Sequence, residues 1–250
     1  MKIAAKVAYL GKGYAGFQRQ RNKATVQGEL ERTLSQLAST EVLIHGAGRT
    51  DANVSALGQV ISFDYPKTIK NLEDFRFHWN MILPEDISIE AIIKADDGFD
   101  ARHSCIGKRY RYRFSVEEKH PLENGTVAYL GKRVFDEEAF IEAMRRFEGT
   151  HCFYNFTTKE QDIDGYIRTV EPLGFEKENG IYSVILQSNG FMTYQIRFMV
   201  GAALKVGFHK LNIEAIDEHL NATKRHVLPF KAPAEGLILE EVLYGSDLFA

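Results

Sequence analysis

Residues 45–63 read HGAGRTDANVSALGQVISF. Alternating apolar residues predict strands at Val42–His45 and Gly58–Tyr65, so Arg49 and Asp51 fall on the loop that joins them. Glycines before this pair and an asparagine after it tolerate unusual backbone angles. A carboxylate on such a loop can be presented into a cleft, although in an arbitrary sequence the same pair would merely brace a turn.

The first half of the chain alternates strand and helix patterns. Lys2–Leu10 alternates as a strand, and Thr25 can cap a helix whose apolar stripe is Val26, Leu30, Leu34 and Leu37. A second helix carries Leu72, Phe75, Trp79 and Ile82 at helical spacing, and Ile87–Lys94 closes the half as a strand. With the two strands around the Asp51 loop, the order is βαββαβ.

The second half repeats this theme. The predicted elements are a strand at Lys108–Val116, a helix capped by Asp136 with Phe140, Met144 and Phe147, a hairpin of Ile167–Glu176 with Tyr182–Gln187 across Glu178-Asn179-Gly180, a helix pair, and a strand at Leu237–Leu243. This order predicts an α+β protein of two ferredoxin-like halves that share a mostly antiparallel sheet. We expect subdomains at 1–100 and 101–250, with the active-site cleft between them.

Composition excludes several classes of protein. Of the 250 residues, 26% are charged and 44% are hydrophobic, and no apolar run approaches the roughly 20 residues of a membrane span. The N-terminal segment is typical of a strand rather than of a secretory signal. The two cysteines and eight histidines lack the spacing of a disulfide framework or a zinc site. We therefore expect a cytoplasmic protein with no membrane contact and no metal.

Charge is unevenly distributed. The formal net charge is −3, which by itself argues against a polyanionic partner. Two segments nevertheless carry several cations and no acid: residues 1–28 with Lys2, Lys6, Lys12, Arg19, Arg21 and Lys23, and residues 101–116 with Arg102, Lys108, Arg109, Arg111 and Arg113. A basic face on a mildly acidic protein suits a structured nucleic acid, while the alternative is a solvated surface.

Residues 11–16 match GxGxxG directly after a predicted strand. A dinucleotide-binding fold needs a helix that opens at the third glycine, whereas here the mostly polar and basic residues 17–25 follow it and the helix begins only near Thr25. The Rossmann interpretation is therefore rejected. The loop either lets its backbone and Arg19 or Arg21 approach a phosphate, or simply connects a strand to a helix.

Five segments in order resemble the TruA family of tRNA pseudouridine synthases. Residues 48–60 (GRTDANVSALGQV) resemble the family signature GRTD-x-GV-x-A-x-GQV. The others are residues 13–20 (GYAGFQRQ), 99–104 with 108–112 (FDARHS, KRYRY), 190–201 (GFMTYQIRFMVG) and 232–237 (APAEGL). Together these matches span nearly the whole chain.

The resemblance implies a reaction and a set of site residues. The reaction detaches uracil from its ribose and rejoins it through C5, with no cofactor or metal. Asp51 matches the family's catalytic aspartate, Arg197 its ion-pair partner, and Tyr110 the tyrosine that packs on the target base, while Arg49 would fill the space that the base leaves. From the basic segments we add as RNA-binding residues Arg19, Arg21, Lys23, Arg102, Lys108 and Arg109.

The chain also departs from the bacterial signature. Asn53 stands where Gly is usual, and Ser55 stands where His is usual. Asparagine tolerates left-handed backbone, so the loop should keep its shape. Residues 54–62 and 149–156 resemble archaeal and eukaryotic members more closely. Those members modify other uridines, but the anticodon stem-loop, at tRNA positions 38 to 40, is still the expected target.

Two points stay open at this level. The resemblance is compatible with a homodimer, as in bacterial members, and with a monomer. The competing functions are a non-catalytic tRNA-binding or tRNA-folding chaperone and a nucleoside hydrolase that works through Asp51. The presence of Asp51, Tyr110 and Arg197 together argues against the chaperone, because binding alone does not need that carboxylate.

Overall fold

The computed structural model describes residues 1–158, 160, 163–245 and 248–249, which form two compact units: Met1–Ile106 with Ile238–Ala250, and Gly107–Leu237. The helices are α1 (Val26–Ala38), α2 (Leu72–Asn80), α3 (Glu137–Arg145), α4 (Gln195–Gly207) and α5 (Glu214–Asn221). The strands are β1 (Lys2–Tyr9), β2 (His45–Gly46), β3 (Ser55–Asp64), β4 (Ile87–Lys94), β5 (Gly107–Ser115), β6 (Ala128–Tyr129), β7 (Gly149–Cys152), β8 (Ile167–Val170), β9 (Gly174–Glu178), β10 (Ile181–Ser188) and β11 (Leu237–Leu243). No helix in these ranges is long and apolar enough to cross a bilayer.

The first unit has the predicted βαββαβ order. Strand β1 lies between β3 and β4 and is antiparallel to both, and β2 pairs with β3. Strand β11 adds a parallel neighbour to β3, with Ile238 opposite Ser55 and Leu239 opposite Ala56. The predicted α+β class with mostly antiparallel strands is therefore confirmed.

The division of the chain differs from the predicted subdomains 1–100 and 101–250. The first unit continues to Ile106, and the last residues of the chain return to it. They return because β11 pairs with β3, and the two backbones approach closely. A Cβ on Gly58 would lie 2.3 Å from the carbonyl oxygen of Glu240, so only glycine fits there.

The helices of the first unit begin as the sequence predicts. The hydroxyl of Thr25 accepts a hydrogen bond from the amide of Gly28, which satisfies one of the amides that α1 leaves unpaired. Trp79 of α2 is fully buried, and its indole N–H donates to Thr33 of α1 at 2.9 Å. Helix α2 ends at Asn80, so the predicted stripe residue Ile82 lies beyond it.

The predicted strand Val42–His45 is wrong over most of its length. Val42 and Ile44 are buried, as the alternation requires, but β2 contains only His45 and Gly46. The amides of Val42 and Ile44 donate instead to the side chains of Ser35 and Glu31 on α1. Side chains of a helix thus take the place of a neighbouring strand.

In the second unit, β10 is antiparallel to both β5 and β9. The predicted hairpin joins β9 to β10 through Asn179 and Gly180, which both have positive φ (49° and 74°), as a type I′ turn requires. The predicted strand Ile167–Glu176 is split into β8 and β9. Pro172 lies between them, and proline cannot donate a ladder hydrogen bond.

The core of the second unit is built from aromatic rings. Phe114 of β5 stacks on Tyr182 of β10 with centroids 5.0 Å apart, and Phe140 of α3 packs edge-on against it at 5.1 Å. Asp136 caps α3 as predicted, since its carboxylate accepts from the amide of Ala139. Gly207 of α4 packs against Phe140, so the same core positions both β5 and α4, which carry the predicted site residues of the unit.

Candidate active site

The loop of residues 47–54, which contains Arg49 and Asp51, joins β2 to β3. Its first residues are fastened to β3: the amide of Ala47 donates to the carbonyl of Val60 at 2.8 Å, and the side-chain amide of Gln59 donates to the carbonyl of Gly48 at 3.0 Å. The loop therefore leaves the sheet at a defined position.

Asp51 is the first residue of a tight turn. The amide of Val54 donates to the carbonyl of Asp51 at 3.1 Å, and Asn53 has a φ of 63°. The prediction that asparagine would hold this left-handed position is confirmed. Asp51 is half-buried, and it lies between the buried Thr50 and an exposed segment. The turn thus fixes the backbone of the candidate catalytic residue.

The glycine loop of residues 11–16 packs against this turn. The amide of Phe17 donates to the carbonyl of Thr50 at 3.1 Å, and the amide of Asn53 donates to the carbonyl of Tyr14 at 3.3 Å. A Cβ on Gly16 would lie 2.8 Å from the Thr50 carbonyl oxygen. Gly16 is therefore needed for the close approach of the two loops, and the predicted approach to a phosphate stays a prediction.

Two buried tyrosines anchor the two loops. The hydroxyl of Tyr9 shares a 2.8 Å hydrogen bond with that of Thr50, and the hydroxyl of Tyr14 donates to the Asp86 carboxylate at 2.7 Å. Burial raises the pKa of Tyr9 to about 12, although hydrogen bonds oppose it. Burial, with Asp86 beside it, raises the pKa of Tyr14 as well. Both phenols therefore stay protonated at neutral pH and keep their hydrogen bonds.

Arg49 is exposed, and its guanidinium donates to the side-chain oxygen of Gln18 at 3.0 Å. Gln20, two residues on, donates to the carbonyl of Ala15 at 2.8 Å. Sequence reasoning gave Gln18 no role, although it lies in the segment 13–20 that resembles the family. Its contact with Arg49 makes it a candidate positioning residue.

The predicted RNA-binding residues of the first unit have different surroundings. Arg19 lies 3.1 Å from the buried carboxylate of Glu31, so part of its charge is balanced within the protein. Arg21 and Lys23 are exposed on the same segment. Arg102 is exposed too, and its backbone amide donates to the Asp100 carboxylate at 2.9 Å.

Tyr110 lies on β5 opposite Leu186 and is 8% exposed. Its ring meets that of Phe191 edge to face, with centroids 5.5 Å apart. Tyr112, two residues on, is fully buried and donates its hydroxyl to the carbonyl of Pro233. Both tyrosines of this strand are therefore buried, Tyr112 completely, and the contact of Tyr110 with a target base stays a prediction.

Lys108 and Arg109 precede Tyr110 on β5. Both are half-buried, opposite Ser188 and Gln187 of β10. Their position in a paired strand fixes their backbones, and their contact with RNA stays a prediction.

Arg197 lies in the first turn of α4 and is half-buried. Its Nε donates to the carbonyl of Ala232 at 2.8 Å, and its guanidinium lies 5.6 Å from the centre of the Tyr194 ring. The amino end of a helix carries partial positive charge, which disfavours a cation and favours an anion. The surroundings of Arg197 therefore suit a carboxylate or phosphate partner.

Each unit brings some predicted residues together. In the first, Arg49 and Asp51 share one loop that the glycine loop supports. In the second, the connection between β10 and α4 contacts both Tyr110 and Arg197, through Phe191 and Tyr194 respectively. The ion pair of Arg197 with Asp51 stays a prediction. In the described ranges no group of three or more His, Cys, Asp or Glu side chains could hold a metal ion.

Known proteins match most of the chain. The family model described as tRNA pseudouridine synthase matches residues 5–104 and 143–245. The tRNA pseudouridine synthase A of Staphylococcus aureus strain MRSA252 is 31% identical over 243 residues, which cover 97% of this chain and 91% of that protein. Its counterpart in strain JH1 is also 31% identical, with 90% of its length covered. One chain of a solved Cbf5-Nop10-Gar1 complex aligns with 81% of this chain at 14% identity. The alignment covers 45% of that chain, with a TM-score of 0.38.

The family model and the Staphylococcus aureus relatives define a pseudouridine synthase by class, and enzymes of this class are isomerases. The chain belongs to the TruA family of tRNA pseudouridine synthases.

Proposed function

We propose that this protein isomerises uridine to pseudouridine in tRNA, with Asp51 as the catalytic carboxylate. The observation that carries the proposal is the position of Asp51, inside the matched residues 5–104 and at the start of a turn that a second loop braces. A reaction at a single carboxylate needs that group held in a defined place, because misplacement by about 1 Å can cost on the order of 100-fold in rate.

The chemistry requires one carboxylate and an enclosed base. The N1–C1′ bond breaks, the uracil turns, and C5 bonds to C1′, while the proton leaves C5 and N1 gains one. The atoms of substrate and product are the same, so no oxidant is consumed. Asp51 serves this reaction either by attack at C1′ or by removal of the 2′ proton, since both steps need an ionised carboxylate at the sugar.

We give roles to three further residues from their match to the family pattern. Tyr110 offers an aromatic ring to the target base, and stacking on such a ring contributes about 1 to 3 kcal/mol per base. Arg197 keeps a carboxylate ionised, since an adjacent arginine lowers a carboxyl pKa by roughly 1 to 3 units. Arg49, oriented by Gln18, fills the space of the extruded base.

The tRNA partner is contacted through cations of both units. Arg21, Lys23 and Arg102 are the first-unit residues best suited to phosphates, because the charge of Arg19 is partly balanced by Glu31. Lys108 and Arg109 extend the contact in the second unit. We further propose the anticodon stem-loop as the target, the cytoplasm as the location, and a homodimer as the assembly, which sedimentation measurements would test.

The experiment incubates an unmodified tRNA transcript with the protein and maps pseudouridine by carbodiimide-dependent primer stops. We expect stops in the anticodon stem-loop with the unaltered protein and with Asp97→Ala, which removes an exposed carboxylate of the same unit. Asp51→Ala should give none. Free uracil in place of product would indicate a hydrolase, and binding without product would indicate a chaperone.

A further inference from the structure

Residues 230–232 are bound to α4 by direct backbone contacts. The amide of Ala232 donates to the carbonyl of Arg197 at 2.8 Å, and the Nε of Arg197 donates back to the carbonyl of Ala232 at 2.8 Å. A Cβ on Gly201 would lie only 2.0 Å from the carbonyl oxygen of Phe230. The backbone at Lys231 therefore has a fixed position beside the first turns of α4.

Lys231 shares an aromatic ring with Arg197. Its Nζ lies 4.0 Å from the centre of the Tyr194 ring, and the Cζ of Arg197 lies 5.6 Å from the same centre. Both distances are within the range of a cation–π contact. Two cations held by one ring repel each other, so an anion near both of them would stabilise the arrangement.

The fold maintains Tyr194 at a conformational cost. Its φ is 63°, a region that bulky residues rarely adopt and that is often found where strain serves a function. The surroundings enforce it: the amide of Phe198 donates to the carbonyl of Tyr194, and the fully buried Gln195 accepts from the amide of Met192. The ring is therefore held beside its two cations despite strain in its own backbone.

A second lysine shows what is particular to Lys231. The Nζ of Lys177 lies 4.4 Å from the centre of the Tyr182 ring, but it also forms a 2.7 Å ion pair with Glu137. Lys231 is exposed, and among the residues that the structure describes no carboxylate lies within ion-pair distance of it. One cation–π lysine is neutralised within the protein, and the other presents its charge to solvent.

We propose that Lys231 binds a backbone phosphate of the RNA near the target uridine, and that Tyr194 is a positioning residue that holds Lys231 beside Arg197. This inference rests on the proposed function, which makes RNA the anion and places Arg197 in the site. Lysine contacts phosphate as a mobile point charge, so it gains from a ring that limits its motion. The contact would fix the strand next to the base that leaves the helix.

The test measures binding of an unmodified tRNA transcript between about 50 and 200 mM salt. Each phosphate contact contributes about 0.7 to 0.9 to the slope of log affinity against log salt. Lys231→Gln should make this negative slope shallower by that amount. Its loss of affinity relative to the unaltered protein should therefore be about threefold smaller at about 200 mM than at about 50 mM salt. Lys177→Gln changes the net charge equally but should keep the slope of the unaltered protein.

Tyr194 is tested with two variants. Tyr194→Phe keeps the ring and should keep the slope, whereas Tyr194→Leu should reproduce the loss seen in Lys231→Gln. In a Lys231→Gln background, Tyr194→Leu should make the slope no shallower than Lys231→Gln alone does. A merely structural role of Tyr194 would not predict this result. A Lys231→Gln slope equal to that of Lys177→Gln would overturn the inference.

Pseudouridine is measured in the same transcripts, so the two proposals fail separately. Product from the unaltered protein, with an unchanged Lys231→Gln slope, would reject only the phosphate contact. Absence of product, with the expected loss of slope, would reject the proposed reaction and leave the phosphate contact standing.

Discussion

Alanine in place of Gly16 should displace the loop that carries Asp51. The Cβ would lie 2.8 Å from the Thr50 carbonyl oxygen and 3.2 Å from the backbone of Asp51. Both are main-chain atoms, which cannot rotate away as a side chain can. To restore an ordinary contact of 3.4 Å, the loop must move by about 0.6 Å.

Gly13 provides a matched control. Its φ is 90°, close to the 101° of Gly16, but a Cβ there would meet nothing within 4 Å. Backbone strain of about 1 to 3 kcal/mol applies to both substitutions. Displacement of the Asp51 loop applies only to Gly16→Ala, for which we expect a loss in kcat of about 10- to 100-fold.

The assay compares single-turnover pseudouridine formation with the free energy of unfolding in urea. Gly13→Ala should lose stability but keep a rate close to that of the unaltered protein, whereas Gly16→Ala should lose both. Equal rates in the two variants would refute the view that the glycine loop positions Asp51.

Three other predictions concern single contacts. Because burial raises the pKa of Tyr9 from 10.0 to about 12, the folded state keeps this proton after the unfolded chain has released it. The free energy of unfolding should therefore fall between these pH values, by up to about 1.4 kcal/mol per pH unit, and urea titrations of Tyr9→Phe should lack that part of the decline. Arg19→Gln should cost about 1 to 2 kcal/mol in thermal unfolding because it removes the cation beside the buried Glu31 carboxylate, which keeps only its hydrogen bonds, whereas Arg21→Gln should cost less than about 0.5 kcal/mol. If Arg197 pairs with Asp51, the double-mutant cycle of Arg197→Gln and Asp51→Asn should give a coupling of about 0.5 to 3 kcal/mol in stability, and additivity would reject the pair.

Local patterns predicted much of this fold correctly because their physical causes are local. Thr25 and Asp136 cap helices by reaching amides three residues ahead, and Asn179-Gly180 forms a turn because both residues accept positive φ. Apolar alternation likewise located β1, β4 and β5 to within a residue.

The errors arose where a distant residue decides the structure. The amides of Val42 and Ile44 pair with side chains of α1, which no alternation pattern reports. Strand β11 joins the first unit by pairing with β3, far away in sequence. The purpose of Gly16 was hidden for the same reason, because the backbone that it must avoid belongs to Thr50.

The residues of the candidate site also differ in how far the sequence predicts them. The sequence alone identifies Asp51 as a candidate, because it lies on a loop and in a segment that resembles a family motif. It gave no role to Gln18, Tyr194 or Lys231, because their importance comes from contacts with Arg49 and Arg197 that depend on folding.

The most direct test of the central claim is the rate of pseudouridine formation by Asp51→Asn, measured under single turnover together with its affinity for the same transcript. The substitution keeps the size of the side chain and removes its charge. We predict unchanged affinity and a rate lower by at least about a thousandfold. A rate within tenfold of the unaltered protein, at equal affinity, would contradict the assignment of Asp51 as the catalytic carboxylate.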